Sequence, residues 1–329
     1  MMKLFKPARA LGALLSLAVL AWAPNAAAQA WPGGKTVKII VPFTAGTSLD
    51  ATARLMATYF GQRTGGTFIV ENKAGAGGLI GTEFVVKSPP DGTTLVMSGA
   101  SITTAKMLYK NMTFDPLVDL APIGQIGVNE IVLVTSPQIG VKDLQDFVTK
   151  SKANPKQWNY GTPGRGVVNT LVPELLKLNM GLQLTPVMYK GTAEPLLAVI
   201  KNEVQLSLNT TSQVAQHVKA GTVQPLVAVA EKRLPSMPNL MTLPEAGYKG
   251  FIPVIWTAMM APKDTPPAIL RQIEQLLVDA AKDPEMVKKV SEGAGVILTG
   301  VPAETFKKTL QAEVTNWEKL FKALNIQPE

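Results

Sequence analysis

The alternation of apolar and polar positions first becomes regular at residues 35–54, KTVKIIVPFTAGTSLDATAR. Val37, Ile39 and Val41, with Ile40 between them, form the near-continuous apolar run of a strand buried on both faces, and Pro42 ends its ladder. Leu49, Ala53, Met56 and Phe60 then recur at helical intervals, and Thr47 stands three residues before Asp50, the spacing of a capping box. The chain therefore turns at 44–48 and opens a helix whose free amides and dipole suit a small anion. Strand signals at 67–70 and 93–97 and a helix at 79–87 follow, with Pro89-Pro90-Asp91-Gly92 as a turn, so this part reads β-α-β-α-β, a parallel sheet with helices on its faces.

Residues 121–137 are long, extended and poor in turn residues, which predicts a crossing into a second domain. There the alternation resumes, with helices at 141–153, 167–178, 193–202 and 213–220 and strands at 158–161, 184–189, 205–209 and 223–230. Pro173 inside the second of these helices predicts a kink or an earlier end. A second extended stretch, 251–261, carries the chain back. Ile269, Ile273, Leu276 and Ala280 then mark one helix, Asp283-Pro284 opens another, and Phe306, Leu310, Val314, Trp317, Phe321 and Leu324 mark a last one from near Pro302. Two crossings predict an α/β protein of two doubly wound domains, the first discontinuous (31–128 and 252–329) and the second 129–251. The ligand cleft lies between them, at the carboxyl ends of the strands.

Composition narrows the class. Lys3, Lys6 and Arg9 precede an apolar run at 11–22, and Ala26, Ala27 and Ala28 follow, which reads residues 1–30 as a cleavable secretory signal peptide; the alternative is an uncleaved anchor. The formal charge is +8, of which the leader holds three positive charges. The modest remainder and the lack of basic runs with interleaved aromatics argue against nucleic acid and suit anionic small molecules. No cysteine occurs, which removes disulfides, thiolate metal sites and cysteine nucleophiles.

Candidate chemistry sits in the loops. Gly75, Gly77 and Gly81 are spaced one residue wrong for a dinucleotide fingerprint, and Asp91 precedes its strand instead of following it. His217 is the sole histidine and falls in a polar helix, QVAQHVK, so neither a histidine metal site nor a Ser-His-Asp triad is supported. What remains is a set of strand-end loops rich in Gly, Ser, Thr and Asn. In the opening loop the candidates are Phe43, Ala45, Gly46, Thr47, Ser48 and Asp50, the last also readable as a capping residue. Ala76, Gly77 and Ser101 follow in the next two loops. Thr162, Arg165, Gly166, Val167 and Asn209 are the candidates of the second domain. Uncharged donors of this kind hold carboxylates, and Arg165 adds a bidentate cation; ordinary turn chemistry is the competing reading. No metal and no cofactor is expected.

With these residues in view, the chain resembles the extracytoplasmic solute-binding receptors of tripartite tricarboxylate transporters, the Bug family. The resemblance rests on Trp31-Pro32, VPFTAGTSLDATAR, ENKAGAGGLIG, PDGTTL, NYGTPGRG, Tyr189-Lys190-Gly191, KAGTVQPLVAVAEKR, LPEAGYKGF and Trp317. It implies a bilobed type II periplasmic-binding-protein fold and a periplasmic monomer that does no chemistry. Such a receptor closes on a small carboxylate and hands it to the transporter's membrane subunits. Against the family pattern, Thr47 replaces a glycine, Asn209 an aspartate and Thr170 a histidine, while Arg165, Val167 and Val168 alter the second-domain rim. These departures point to a dicarboxylate with an apolar body, an aromatic one such as terephthalate first, and citrate or an aliphatic diacid as the alternative. A sensor of the same ligand is a further alternative.

Overall fold

The computed structural model describes residues 31–155, 158–164, 166–189, 191 and 193–328. The leader and Arg165 lie outside them.

Strand β1 (Thr36–Val41) pairs in parallel with both β2 (Thr67–Asn72) and β3 (Thr94–Gly99), so both its edges are covered, and an apolar core lies on each of its faces. Val37, Ile39 and Val41 pack with Met56 and Phe60 of helix α1 (Ser48–Thr64). Ile40 faces the opposite core, which holds Phe306 and Trp317 of the last helix. Gly65 ends α1 in the left-handed region at φ +68°, where a side chain is strained. Helix α2 (Leu79–Val86) links β2 to β3, and a short 3-10 turn (Ala100–Thr103) and the single-turn helix α3 (Ala105–Leu108) follow β3.

Strand β4 (Leu120–Asn129) runs through one residue, Glu130, into β5 (Ile131–Thr135), which belongs to a different sheet. That second sheet is completed by β6 (Asn159–Thr162), β7 (Thr185–Met188), β8 (Leu206–Thr210) and β9 (Gln224–Ala228). Its helices are α4 (Leu144–Ala153), α5 (Val168–Met180), α6 (Glu194–Ile200) and α7 (Thr211–Lys219). The chain returns through β10 (Ile255–Pro262), then α8 (Pro267–Lys282), α9 (Pro284–Ala294), β11 (Val296–Pro302) and α10 (Ala303–Ala323).

The strand orders are β11-β4-β10-β3-β1-β2 and β7-β6-β8-β5-β9. The two sheets repeat one plan. In each, the strand delivered by a crossing enters antiparallel between two others: β10 between β3 and β4, β5 between β8 and β9. One apolar core runs from Ile40 and Val96 to Ile131 and Leu133 and so belongs to both lobes. Trp256 and Trp317 are fully buried in it, each stacked edge-on against a phenylalanine, Phe306 and Phe251 respectively.

Two local expectations need correction. Residues 296–302, left without an element by the sequence reading, form β11 on the edge of the first sheet, with Val296 and Leu298 buried and Ile297 and Thr299 exposed. Helix α5 does not end early: it continues through Pro173 to Met180, because Leu171, Val172, Leu175 and Leu176 bury one face of it. The turn surrenders a single hydrogen bond, to the carbonyl of Asn169, for that packing.

Candidate functional site

The opening loop is built around Asp50, which is 3 % exposed. Its Oδ2 accepts the Gly46 amide at 3.0 Å and Arg54 Nε at 3.1 Å. Its Oδ1 accepts Arg54 Nη2 at 3.0 Å and Asn72 Nδ2 at 2.9 Å, and Asn72 Nδ2 also donates to the Phe43 carbonyl at 3.1 Å. Burial alone pushes the Asp50 carboxyl up, but these hydrogen bonds and the Arg54 charge outweigh it and hold the pKa below the ordinary carboxylate value. The carboxylate is therefore fully used in shaping the loop. Thr47 caps the helix by accepting the Asp50 amide at 3.3 Å, while Asp50 reaches back one residue beyond the cap, to Gly46. Gly46 is exposed at φ +84°, open on the side a Cβ would take.

This arrangement leaves the amides of Thr47, Ser48 and Leu49 without an acceptor among the described residues, at the positive end of a 17-residue helix. The second loop is held in an unusual run of positive φ: Gly75 at 136°, Ala76 at 46°, Gly77 at 63° and Gly78 at 99°. Ile80 covers Gly75, the Tyr109 hydroxyl covers Gly77 and the Phe43 ring covers Gly78. Phe43, Gly77, Gly78, Ser98, Gly99 and Ser101 converge on a narrow recess at the carboxyl ends of β1 and β3. Ser98 Oγ is buried there with no hydrogen-bond partner.

In the second lobe Thr162 ends β6, buried, with its hydroxyl 2.6 Å from that of Thr170, and Thr170 also donates to the Gly164 carbonyl. Val167 is the N-cap of α5 but offers no side-chain oxygen, so among the described residues no side chain caps the first amides of that helix. Gly166, at φ +71°, is where the lobes meet: Thr104 Oγ1 donates to its carbonyl at 3.1 Å, and Leu108 packs where a Cβ would stand. Asn209 is 2 % exposed, donates from Nδ2 to Ser207 Oγ at 2.7 Å, and leaves Oδ1 unpartnered.

The profile of the tripartite tricarboxylate transporter family receptor matches residues 52–326. The chain belongs to this family. The receptor is 28% identical to Protein BugT of Bordetella pertussis over 86% of its own length and 87% of that protein. An R. palustris protein solved with adipate superposes with a TM-score of 0.81 at 28% identity, over 91% of the receptor and 100% of that chain. A second, MatC from Rhodopseudomonas palustris with bound malate, gives 0.75 at 25% identity over 87% and 98%. The fold is the bilobed type II periplasmic-binding-protein fold, and the receptor is not an enzyme. His217, on α7, lies 3.2 Å from the hydroxyl of Thr222 just beyond that helix.

Of the sequence-derived candidates, Phe43, Gly77 and Ser101 share the recess; Ala45, Gly46, Thr47 and Ser48 stand at the α1 start and Ala76 next to Gly77. Thr162, Gly166 and Val167 lie together on the facing loop, and Asn209 is the next-to-last residue of β8, the neighbouring strand. Asp50 and Thr162 direct polar side-chain atoms to partners within the protein, Arg54 and Thr170 among them. Sequence reading passed over Thr104, Leu108 and Tyr109, whose importance comes from contacts made across 62, 58 and 32 residues of chain and leaves no local pattern. Ser98 stands near the end of the strand TLVMSG, in the same hydroxyl-rich stretch, 98–101, as the candidate Ser101.

Proposed function

We propose that the receptor is a periplasmic monomer, exported by the leader at 1–30, that captures a dicarboxylate between its lobes and delivers it to the membrane subunits of a tripartite tricarboxylate-type transporter. The lobes are 31–128 with 252–329, and 129–251. The observation that carries this reading is the open N-terminus of α1, where the amides of Thr47, Ser48 and Leu49 have no acceptor among the described residues and the Asp50 carboxylate is turned back to Gly46, Arg54 and Asn72. One carboxylate docks there. The uncapped start of α5 and Arg165 receive the other, and Phe43 and Val167 face the body between them. Because Asn209 stands where the family pattern has an aspartate, a carboxylate that could pair with a ligand ammonium is lost at that position, which disfavours amino acids.

The ligand reading is an aromatic diacid such as terephthalate first, with an aliphatic diacid second. The adipate-bound relative supports the aliphatic alternative. Titration calorimetry of the mature chain against terephthalate, adipate, citrate, malate and aspartate decides among them. Binding of a diacid with no heat from aspartate is expected, whereas tight binding to aspartate alone overturns the proposal. Arg165→Ala is expected to change the ranking of the diacids, not to weaken all of them equally.

A further inference from the structure

The first crossing joins the two helix starts that border the cleft. Asn129, the last residue of β4, donates from Nδ2 to Ser48 Oγ at 3.3 Å and to the Gly295 carbonyl at 3.0 Å; Ser48 Oγ in turn donates to the Ala294 carbonyl at 2.5 Å. Asn129 thus ties the first residue of α1 to the end of α9. The very next residue makes the matching set of bonds to the other lobe. The Glu130 carbonyl accepts the Thr211 amide at 2.9 Å, and its Oε2 accepts the hydroxyls of Thr211, at 3.1 Å, and of Ser236. Thr211 is the first residue of α7 and follows directly on Asn209 and Thr210. Both side chains are more than nine-tenths buried, and Glu130 Oε1 has no partner. The two bodies also touch at this point: a Cβ on Gly295 would lie 2.4 Å from Ser212 Oγ.

A buried carboxylate fixed by two hydroxyls from one lobe, adjoining a buried amide fixed to the other, leaves the connection no slack. Any rotation of one lobe against the other must bend the chain at Asn129-Glu130 or break one of these bonds. Each net hydrogen bond is modest, but unpairing a buried carboxylate is costly, so the pair biases the relative orientation of the helix starts. We propose that Asn129 and Glu130 are positioning residues that couple the ligand-facing start of α1 to that of α7, making the geometry of one loop depend on the other. Neither residue touches the ligand. The effect on affinity rests on the receptor reading given above, whereas the coupling itself exists without ligand.

Hydrogen exchange on the ligand-free mature chain tests it. With Asn129→Ala, exchange is expected to rise about five- to tenfold at the hydrogen-bonded amides of Asp50 and Ala51 and also at 211–214 in the other lobe, while the amides of β1 keep their protection. Glu130→Gln is expected to give the reciprocal pattern. Should either variant fail to fold, Ser48→Ala, which removes only the hydroxyl, must still raise exchange at 211–214. If each variant loosens only its own side, or if exchange rises uniformly across the protein, the coupling is overturned. Calorimetry with terephthalate and adipate is run in parallel. Coupled exchange in a protein that binds neither diacid supports the coupling and counts against the dicarboxylate reading alone.

Discussion

The start of α1 and the start of α7 are both strand-to-helix turns at the carboxyl end of a sheet, yet they finish their hydrogen bonds differently. At α7 a full capping box closes the end: Thr210 accepts the Gln213 amide, and the Gln213 side chain accepts the Thr210 amide at 3.1 Å. At α1 the acid that could have closed the end is turned to Gly46, Arg54 and Asn72, and the helix amides are left open. Helix α5 goes further, with a valine for a cap. A helix end that the chain satisfies itself has no need of a ligand, and one that the chain leaves open invites an anion. On the reading proposed above, that contrast makes α1 and α5 the two jaws that receive carboxylates, while α7, whose end is closed, borders the cleft without docking one.

The strongest way to break the contrast is Asp50→Ala, which removes the acceptor for the Gly46 amide, Arg54 and Asn72 at once. A loss of about 3 kcal/mol in denaturant unfolding is expected, together with loss of diacid binding by calorimetry. Since the Asp50 pKa is lowered in the fold, its contribution is present at neutral pH and disappears as pH falls through the acidic range.

A buried carboxylate remote from either jaw provides the opposite sign. Glu313 accepts Trp256 Nε1 at 2.8 Å, yet burial pushes its pKa up from 4.5 to about 7. Its favourable contribution is therefore complete below pH 4.5 and is lost as pH rises through 7. That gap sets a ceiling of about 3 kcal/mol, and Glu313→Gln is expected to recover about 2 kcal/mol at pH 8 and flatten the stability profile between pH 5 and 7. An unchanged profile would assign the slope to other groups.

The smallest effects are the most discriminating. Val167→Ser supplies the missing cap of α5, so stability should rise by about 0.5 to 1 kcal/mol while diacid affinity falls, the new hydroxyl competing for the same amides. Gln213→Ala should lower stability by about 0.5 kcal/mol and leave affinity unchanged. Equal effects of the two on affinity would erase the distinction between jaw and framework.

Much of this was legible in the sequence where the signal is local. The both-faced burial of Val37 to Val41, the Thr47 cap and the alternation of the second lobe all follow from period and turn chemistry. The role of Asp50 was half legible: its spacing from Thr47 announced a cap, but Asn72 lies 22 residues away and comes alongside only when β2 pairs with β1. Strand β11 has the period-two pattern of a strand, but at seven residues behind a helix it acquires meaning only from its partner β4. The meeting of Gly166 with Thr104 and Leu108 has no local trace, because a glycine is chosen there by what arrives from another lobe.

The antiparallel strands that the crossings deliver set the two lobes on different schedules during synthesis. All five strands of the second sheet lie within residues 131–228, whereas the first sheet has β10 between β3 and β4. An emerging chain can therefore complete its second lobe while β3 and β4 still present open edges, and it closes the first lobe only after residue 262 has appeared. The amino-terminal half, made earliest, is thus expected to be the last to gain protection in pulse-labelled refolding, and the reverse order would show that the first lobe closes without its inserted strand. On the export and the site proposed above, that order leaves the loop at 42–50, in which the proposed site begins, among the last parts to take shape.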